Sequence, residues 1–166
     1  MKAAAAGLSV DALRDGNRAA VGDFVAKHRQ YLTGKVLDFG CGPQPYKHLV
    51  DGEYVPFDPD YGRKPAEPTG VYDAILITQV LQFVENPAET LRRLMADHLK
   101  VGGHFVITYH TSWYEAQAAD TWRISTRGME RLLAGCEIVA HEAITELLFD
   151  NFTMRLTSGV VARRAA

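Results

Sequence analysis

The sequence predicts an α/β domain built on a mainly parallel sheet, and three observations carry that prediction. Short apolar runs, "KVLDF", "YDAILIT" and "HFVITY", alternate with segments of helical periodicity. The centre of "YDAILIT" is apolar at every position, as a parallel strand covered on both faces requires. Glycines 40 and 42 follow the first run directly, where the first strand of such a domain turns toward its helix. At 166 residues the chain has the length of one domain with a single core, so residues 1–166 are read as one unit. Within it, 1–33 is an N-terminal helical segment and 34–166 the α/β core.

In order along the chain, Leu13, Val21, Phe24, Val25 and Tyr31 with the intervening alanines predict one or two helices, with Gly16 and Gly22 as weak points. Gly34 ends that pattern. "KVLDF" is the first core strand, "YKHLV" a short helical segment closed by "DGE", and "YVPF" at 54–57 the second strand. Three prolines and two glycines in "DPDYGRKPAEPTG" predict an irregular connection to "YDAILITQV". A helix follows over "NPAETLRRLMADHLK", with Asn86 as N-cap, Pro87 at the first helical position, Glu89 three residues after the cap, and Leu91, Leu94 and Leu99 on one face. "VGG" ends it and "HFVITY" begins the fourth strand. "STRGMERLLAGC" is a helix capped by Ser125 or Thr126 and stopped at Gly135, and "EIVAHEAI" and "SGVVARR" are the last strands. The expected architecture is Rossmann-like: a doubly wound, mainly parallel sheet with helices on both faces, shortened between the second strand and "YDAILIT".

Composition removes several function classes. With 47% hydrophobic and 23% charged residues the chain is an ordinary globular protein, neither disordered nor membrane-spanning. A formal charge of -2 and no basic block argue against nucleic acid, and the arginines of "ARRAA" are expected to form a solvated tail. Cys41 and Cys136 make no CxxC or ligand cluster, so no metal site is expected. Asp11 and Arg14 interrupt the N-terminal small-residue run before a signal-peptide core forms, which predicts a cytoplasmic protein.

The chemistry is concentrated in "VLDFGCGPQPY". A glycine turn after the first strand lets backbone approach a ligand, and an acid after the second strand bonds a ribose. Asp58 stands 18 residues beyond Gly40, close to the usual spacing, so the pair points to a nucleotide-type ligand. The third glycine of a dinucleotide fingerprint would fall at Pro45, which makes an NAD oxidoreductase a poor reading, and no GK[ST] follows for a P-loop.

Four motifs in order, "VLDFGCGPQPY", "YVPFDPD", "YDAILITQVLQFVENP" and "LKVGGHFVITY", resemble the core motifs of class I S-adenosylmethionine-dependent methyltransferases. "DTWRISTRGMERLL" is similar to the "WRFT"-like stretch of one branch of that family. The resemblance implies S-adenosylmethionine as cofactor, with Asp38, Gly40, Cys41 and Gly42 around its amino-acid part and Asp58 on the ribose hydroxyls. It also implies Phe57 and Pro59 beside the adenine and Thr78, Gln79 and Val80 along the methionine side and the sulfonium. There are departures. Tyr72 stands only 14 residues beyond Asp58, where the family has a helix, a strand and often a further acid, so one sheet edge is trimmed. Gln44 replaces the third family glycine, and Gln82-Phe83 stand where the family has "EH". A trimmed edge is a route to a homodimer or a protein partner.

Methyl transfer is a direct displacement that mainly needs donor and acceptor held in line. The acceptor is expected to be a small molecule seated by "YHTSWYEAQAADTWR", with His110 as general base or as a strand-end cap, and Trp113, Tyr114 and Arg123 against the substrate. Trp122 and Arg123 read equally as packing devices that anchor the loop. "DPDY" follows the wrong strand for the signature of amino-methylating DNA enzymes. The alternative to an active methyltransferase is a catalytically degenerate cofactor-binding or partner-subunit domain of the same fold.

Overall fold

The computed structural model describes residues 2–4, 9–58, 68–112, 120–149 and 152–166. Among the described residues seven strands, β1 (Lys2–Ala4), β2 (Thr33–Phe39), β3 (Asp51–Phe57), β4 (Tyr72–Thr78), β5 (Leu99–His110), β6 (Cys136–Leu148) and β7 (Thr153–Arg164), form one sheet in the order β1-β6-β7-β5-β4-β2-β3. β2, β3, β4 and β5 pair in parallel, as do β1 and β6, while β7 is antiparallel to both neighbours. The doubly wound, mainly parallel sheet expected from the sequence is therefore present. From β2 the chain moves outward to β3 and then back across to β4, so the direction of winding reverses at β2, where open α/β sheets carry their ligands.

Alternation of side chains sorts the core into two faces. Val36, Ala74, Leu76 and Val106 pack against Ala20, Val21, Phe24 and Val25 of α1 (Val10–Lys27). Leu37, Ile75, Ile77, Phe105 and Ile107 pack on the other face with Leu91 of α2 (Pro87–Arg93) and Met129 of α3 (Thr126–Leu132). Helices thus cover both faces. α1 runs unbroken through Gly16 and Gly22, because its buried stripe offsets the glycine cost of about 1 kcal/mol per residue. The two caps expected from the sequence are present, Asn86 accepting the Glu89 N–H and Ser125 the Gly128 N–H, and Ser9, not anticipated, accepts the Ala12 N–H at the start of α1, each at 3.1 Å.

Four expectations are corrected. The helix after Asn86 does not reach Lys100: it ends at Arg93, continues as one widened turn over Leu94–His98, and Leu99 already belongs to β5. Arg164 explains why that turn is stable, since its Nη1 donates to the Met95 carbonyl at 2.6 Å and also to that of Leu99. The arginines of "ARRAA" are accordingly the end of β7, not a solvated tail. "YKHLV" forms only a 3-10 turn at Lys47–Leu49, and the last two strands are longer than "EIVAHEAI" and "SGVVARR", meeting in a hairpin that absorbs most of "TELLFDNFTMRL".

Gly159, in β7, lets α1 lie close to the sheet: a Cβ there would meet the Phe24 ring at 2.5 Å. Gly159→Ala is expected to destabilise the fold by about 1–3 kcal/mol through overpacking. Urea denaturation measures this, and combining Gly159→Ala with Phe24→Leu should recover most of the loss.

Candidate functional site

The site begins with backbone. After β2 the chain turns through Gly40 at φ 75° and Gly42 at φ 48°, and three amides of the turn are spoken for by the end of β3. Gly40 and Cys41 N–H both donate to the Phe57 carbonyl, at 2.7 and 3.2 Å, and the Gly42 N–H donates to Asp58 Oδ2 at 2.8 Å. The two glycines serve different ends. A Cβ at Gly40 would lie 2.3 Å from a methyl of Val80, so this residue lets the end of β4 close against the turn. A Cβ at Gly42 would meet nothing within 4 Å, so this residue leaves a bare floor on which a ligand can approach backbone.

That floor belongs to a cavity of about 830 Å³ at the carboxyl ends of β2, β3 and β4. Of the residues implied to touch the cofactor, Gly40, Cys41, Gly42, Asp58, Thr78, Gln79 and Val80 line it. Asp38 lies behind the loop, 1% exposed, and its Oδ2 accepts the Tyr54 hydroxyl at 2.6 Å. Phe57 requires correction: its ring is buried and stacked on Phe39 at 5.2 Å in the core on the α2 face, so its carbonyl holds the loop while its side chain takes no part in the cavity. Pro59 lies outside the described residues.

Two non-glycine residues near the cavity are strained, Gln44 at φ 62° in the loop and Gln79. Gln79 follows β4 directly and has φ 58°, a left-handed conformation uncommon for a side chain of this size. Three hydrogen bonds hold it there: its N–H to the Thr108 carbonyl, its Nε2 to Thr108 Oγ1, and its carbonyl accepting from Gln82 Nε2. Such strain persists where surrounding structure over-determines it, as at ligand clamps. Arg18 and Ala19 of α1, Pro43, Pro45, Tyr46 and Phe83 complete the wall. The sequence reading assigned a site role to none of these six. Tyr46 stood inside the quoted motif, whereas nothing local marks Arg18 as facing the loop. Burial raises the Tyr46 hydroxyl pKa, with Arg18 opposing, so it remains a neutral donor at neutral pH.

The expected acceptor residues are placed differently. Trp113 and Tyr114 lie outside the described residues. Arg123 makes a bidentate pair with the buried Asp120, at 2.5 and 3.1 Å, and Trp122 Nε1 donates to the Val84 carbonyl at 3.0 Å. With Thr121 N–H on the Gln82 carbonyl, these contacts dock the segment before α3 onto the turn after β4, which favours the packing reading of Trp122 and Arg123. His110 ends β5, buried, with Nδ1 3.3 Å from Thr157 Oγ1, and does not line the glycine-loop cavity. Burial, and then the Arg123 guanidinium, push its pKa down to about 4 against the pull of Asp120. An imidazole so perturbed is neutral at neutral pH and a weaker base than a free histidine.

With this geometry in place, comparison with known proteins is informative. Residues 13–148 match the family described as a methyltransferase domain, and the chain belongs to that family. The membership implies S-adenosylmethionine as the cofactor. No curated protein matches. Among solved structures, a SAM-dependent methyltransferase from Archaeoglobus fulgidus superposes with a TM-score of 0.62 at 14% identity, over 89% of this chain and 94% of that one. An S-adenosylmethionine-dependent methyltransferase from Mesorhizobium loti gives 0.59 at 15% identity, over 89% and 100%. A chain from the complex of the Haloferax volcanii Trm112 methyltransferase activator with a methyltransferase gives 0.59 at 16% identity, over 93% and 96%. At these identities the likeness is one of fold. Among the described residues no helix is long and apolar enough to cross a membrane, and no group of three or more potential metal ligands occurs.

The depressed His110 pKa makes stability pH-dependent. The unfolded chain binds a proton near pH 6.5 that the folded chain refuses until about pH 4, so stability is retained above 6.5 and falls as pH drops through that window. The loss reaches about 3 kcal/mol below pH 4. His104 is shifted the same way by burial, so the informative comparison is with His110→Gln, whose urea-derived stability should fall less steeply between pH 6.5 and 4 than the parent's.

Proposed function

We propose that this chain is an S-adenosylmethionine-dependent methyltransferase acting on a small-molecule acceptor. The observation that carries the proposal is the cavity in which Gly42 leaves an open floor while Asp58 stands at its edge, at the point where the winding of the sheet reverses. The residues present fit the cofactor. The volume suits a nucleoside-sized ligand, and the Asp58 carboxylate, already anchored by the Gly42 N–H, accepts from vicinal ribose hydroxyls. Thr78, Gln79 and Val80 hold the methionine side, with Asp38 positioning the loop from behind. When bound, the cofactor supplies a methyl group on a positively charged sulfur. The chain's own part is to orient donor and acceptor, since among the described residues no strongly basic group lies at the reacting end.

The same cavity also serves a degenerate cofactor-binding subunit. A chain of the Haloferax volcanii complex between an activator and a methyltransferase has this fold, which is consistent with either reading. Turnover separates the two readings, because only the first forms methylated product.

Thermal shift with S-adenosylmethionine, S-adenosylhomocysteine and NAD tests the proposal: the first two should raise the melting temperature and NAD should not. Asp58→Asn, which keeps an acceptor for the Gly42 amide but loses the charge, is expected to weaken S-adenosylmethionine binding about 10- to 100-fold. Affinity unchanged from the parent would remove Asp58 from the ribose contact.

A further inference from the structure

A second cavity, of about 540 Å³, shares none of its described lining residues with the first. Leu13 of α1 and Leu147, Met154 and Leu156 of the β6–β7 hairpin give it apolar walls, and Thr111 and Ser112, just past the end of β5, form its polar margin. Much of that margin's polarity is already used. Thr111 Oγ1 donates to the Arg155 carbonyl at 2.7 Å, and the N–H groups of Thr111 and Ser112 donate to the Leu156 carbonyl. Arg123 is the charged residue of the lining, and its guanidinium is matched by the two oxygens of Asp120, itself 5% exposed. An anionic ligand would therefore find a positive charge already compensated, and a cationic one would meet no uncompensated acid among the described lining residues. Desolvating either ion against these walls is unfavourable. The chemistry selects a neutral, apolar occupant.

Two further observations tie the cavity to methyl transfer and to hydrophobic ligands. Leu13 precedes Arg18 and Ala19, which wall the cofactor cavity, by five or six positions, about 8 Å along one helix, so α1 borders both spaces. The hairpin that supplies Leu147, Met154 and Leu156 continues into Leu148, Phe149 and Phe152, which are exposed, with the two rings stacked at 4.5 Å. Apolar surface thus extends from the hairpin toward the cavity. A volume of about 540 Å³ is within the range of small-molecule pockets and suits a compact ligand.

We infer that this cavity holds the methyl acceptor, and that the acceptor is a neutral molecule whose hydrophobic chain or ring fills the surface of Leu13, Leu147, Met154 and Leu156. This rests on the methyltransferase reading above. The nucleophilic heteroatom of the acceptor points toward Thr78–Val80. Its lone pair forms the new bond to the methyl carbon as the carbon–sulfur bond breaks, the bonding electrons stay on sulfur to give S-adenosylhomocysteine, and the proton of a hydroxyl acceptor passes to water.

A series of 4-n-alkylphenols from ethyl to octyl tests the inference, with dissociation constants measured by ligand-observed NMR on the full chain. Each added methylene should tighten binding about three- to fourfold until the cavity is filled. Saturating S-adenosylhomocysteine should leave octylphenol bound. Leu13→Glu and Met154→Glu, both at partly exposed positions where a carboxylate is compatible with folding, should each weaken octylphenol at least tenfold while the S-adenosylmethionine thermal shift persists. Affinity independent of chain length, octylphenol binding unaltered in both variants, or displacement by S-adenosylhomocysteine would each overturn the inference. Chain-length-dependent, Glu-sensitive binding without any S-adenosylmethionine shift would instead remove the methyltransferase reading, and the acceptor assignment with it, while leaving an apolar site in place.

Discussion

The carbonyl of Phe57 receives two amides, those of Gly40 and Cys41, and the next residue, Asp58, receives a third from Gly42. The rest of the site depends on this clasp. It converts the loose end of one strand and the turn after its neighbour into a single backbone unit. Without it the positive φ angles at positions 40 and 42 would be a local conformational preference; with it they are fixed, and the Asp58 carboxylate is held where the bare floor at Gly42 begins. The Phe57 ring, stacked on Phe39 in the core, anchors the clasp from beneath, so the same residue joins hydrophobic packing to loop geometry.

A second layer of order comes from alternation along the strands. On the face covered by α1 the central positions are apolar, but toward the carboxyl ends they turn polar: Asp38 with Tyr54, Thr108 with Gln79, His110 with Thr157, and Thr145 with Asn17. Each of these residues makes at least one such bond, though Gln79 Oε1 has no hydrogen-bond partner among the described residues, and such pairs fix geometry where an apolar core would permit sliding. The strain at Gln79 is contained within this layer.

The legible parts of the sequence were those governed by local rules. Asn86 and Pro87 announced a helix start, the glycines after "VLDF" announced a turn, and the interval to Asp58 placed an acid at its edge. Side-chain facing at a strand end was harder. Phe57 adjoins Asp58, yet alternation turns the two opposite ways, and adjacency in a motif does not reveal which of them faces the ligand. Arg18 entered the site through the packing of a helix distant in sequence, and the fate of Arg164 depended on a widened turn whose carbonyls needed a donor. His110 had the right residue type for a base, but its proton affinity was set by burial and by Arg123, neither of which a local motif encodes.

Among the described residues β3 is the outermost strand on its side of the sheet. The Asp51 amide donates to Leu32 and the Phe57 carbonyl accepts from Gly40, so odd-numbered residues of β3 direct their backbone groups inward and even-numbered ones outward. Pro56 is therefore an outward-facing position, and it has no N–H to offer. A strand laid along this edge would meet a donor at Gly52 and at Tyr54 and then a gap where the ladder should continue. The placement of one proline keeps a short open edge from serving as a full template for edge-to-edge association.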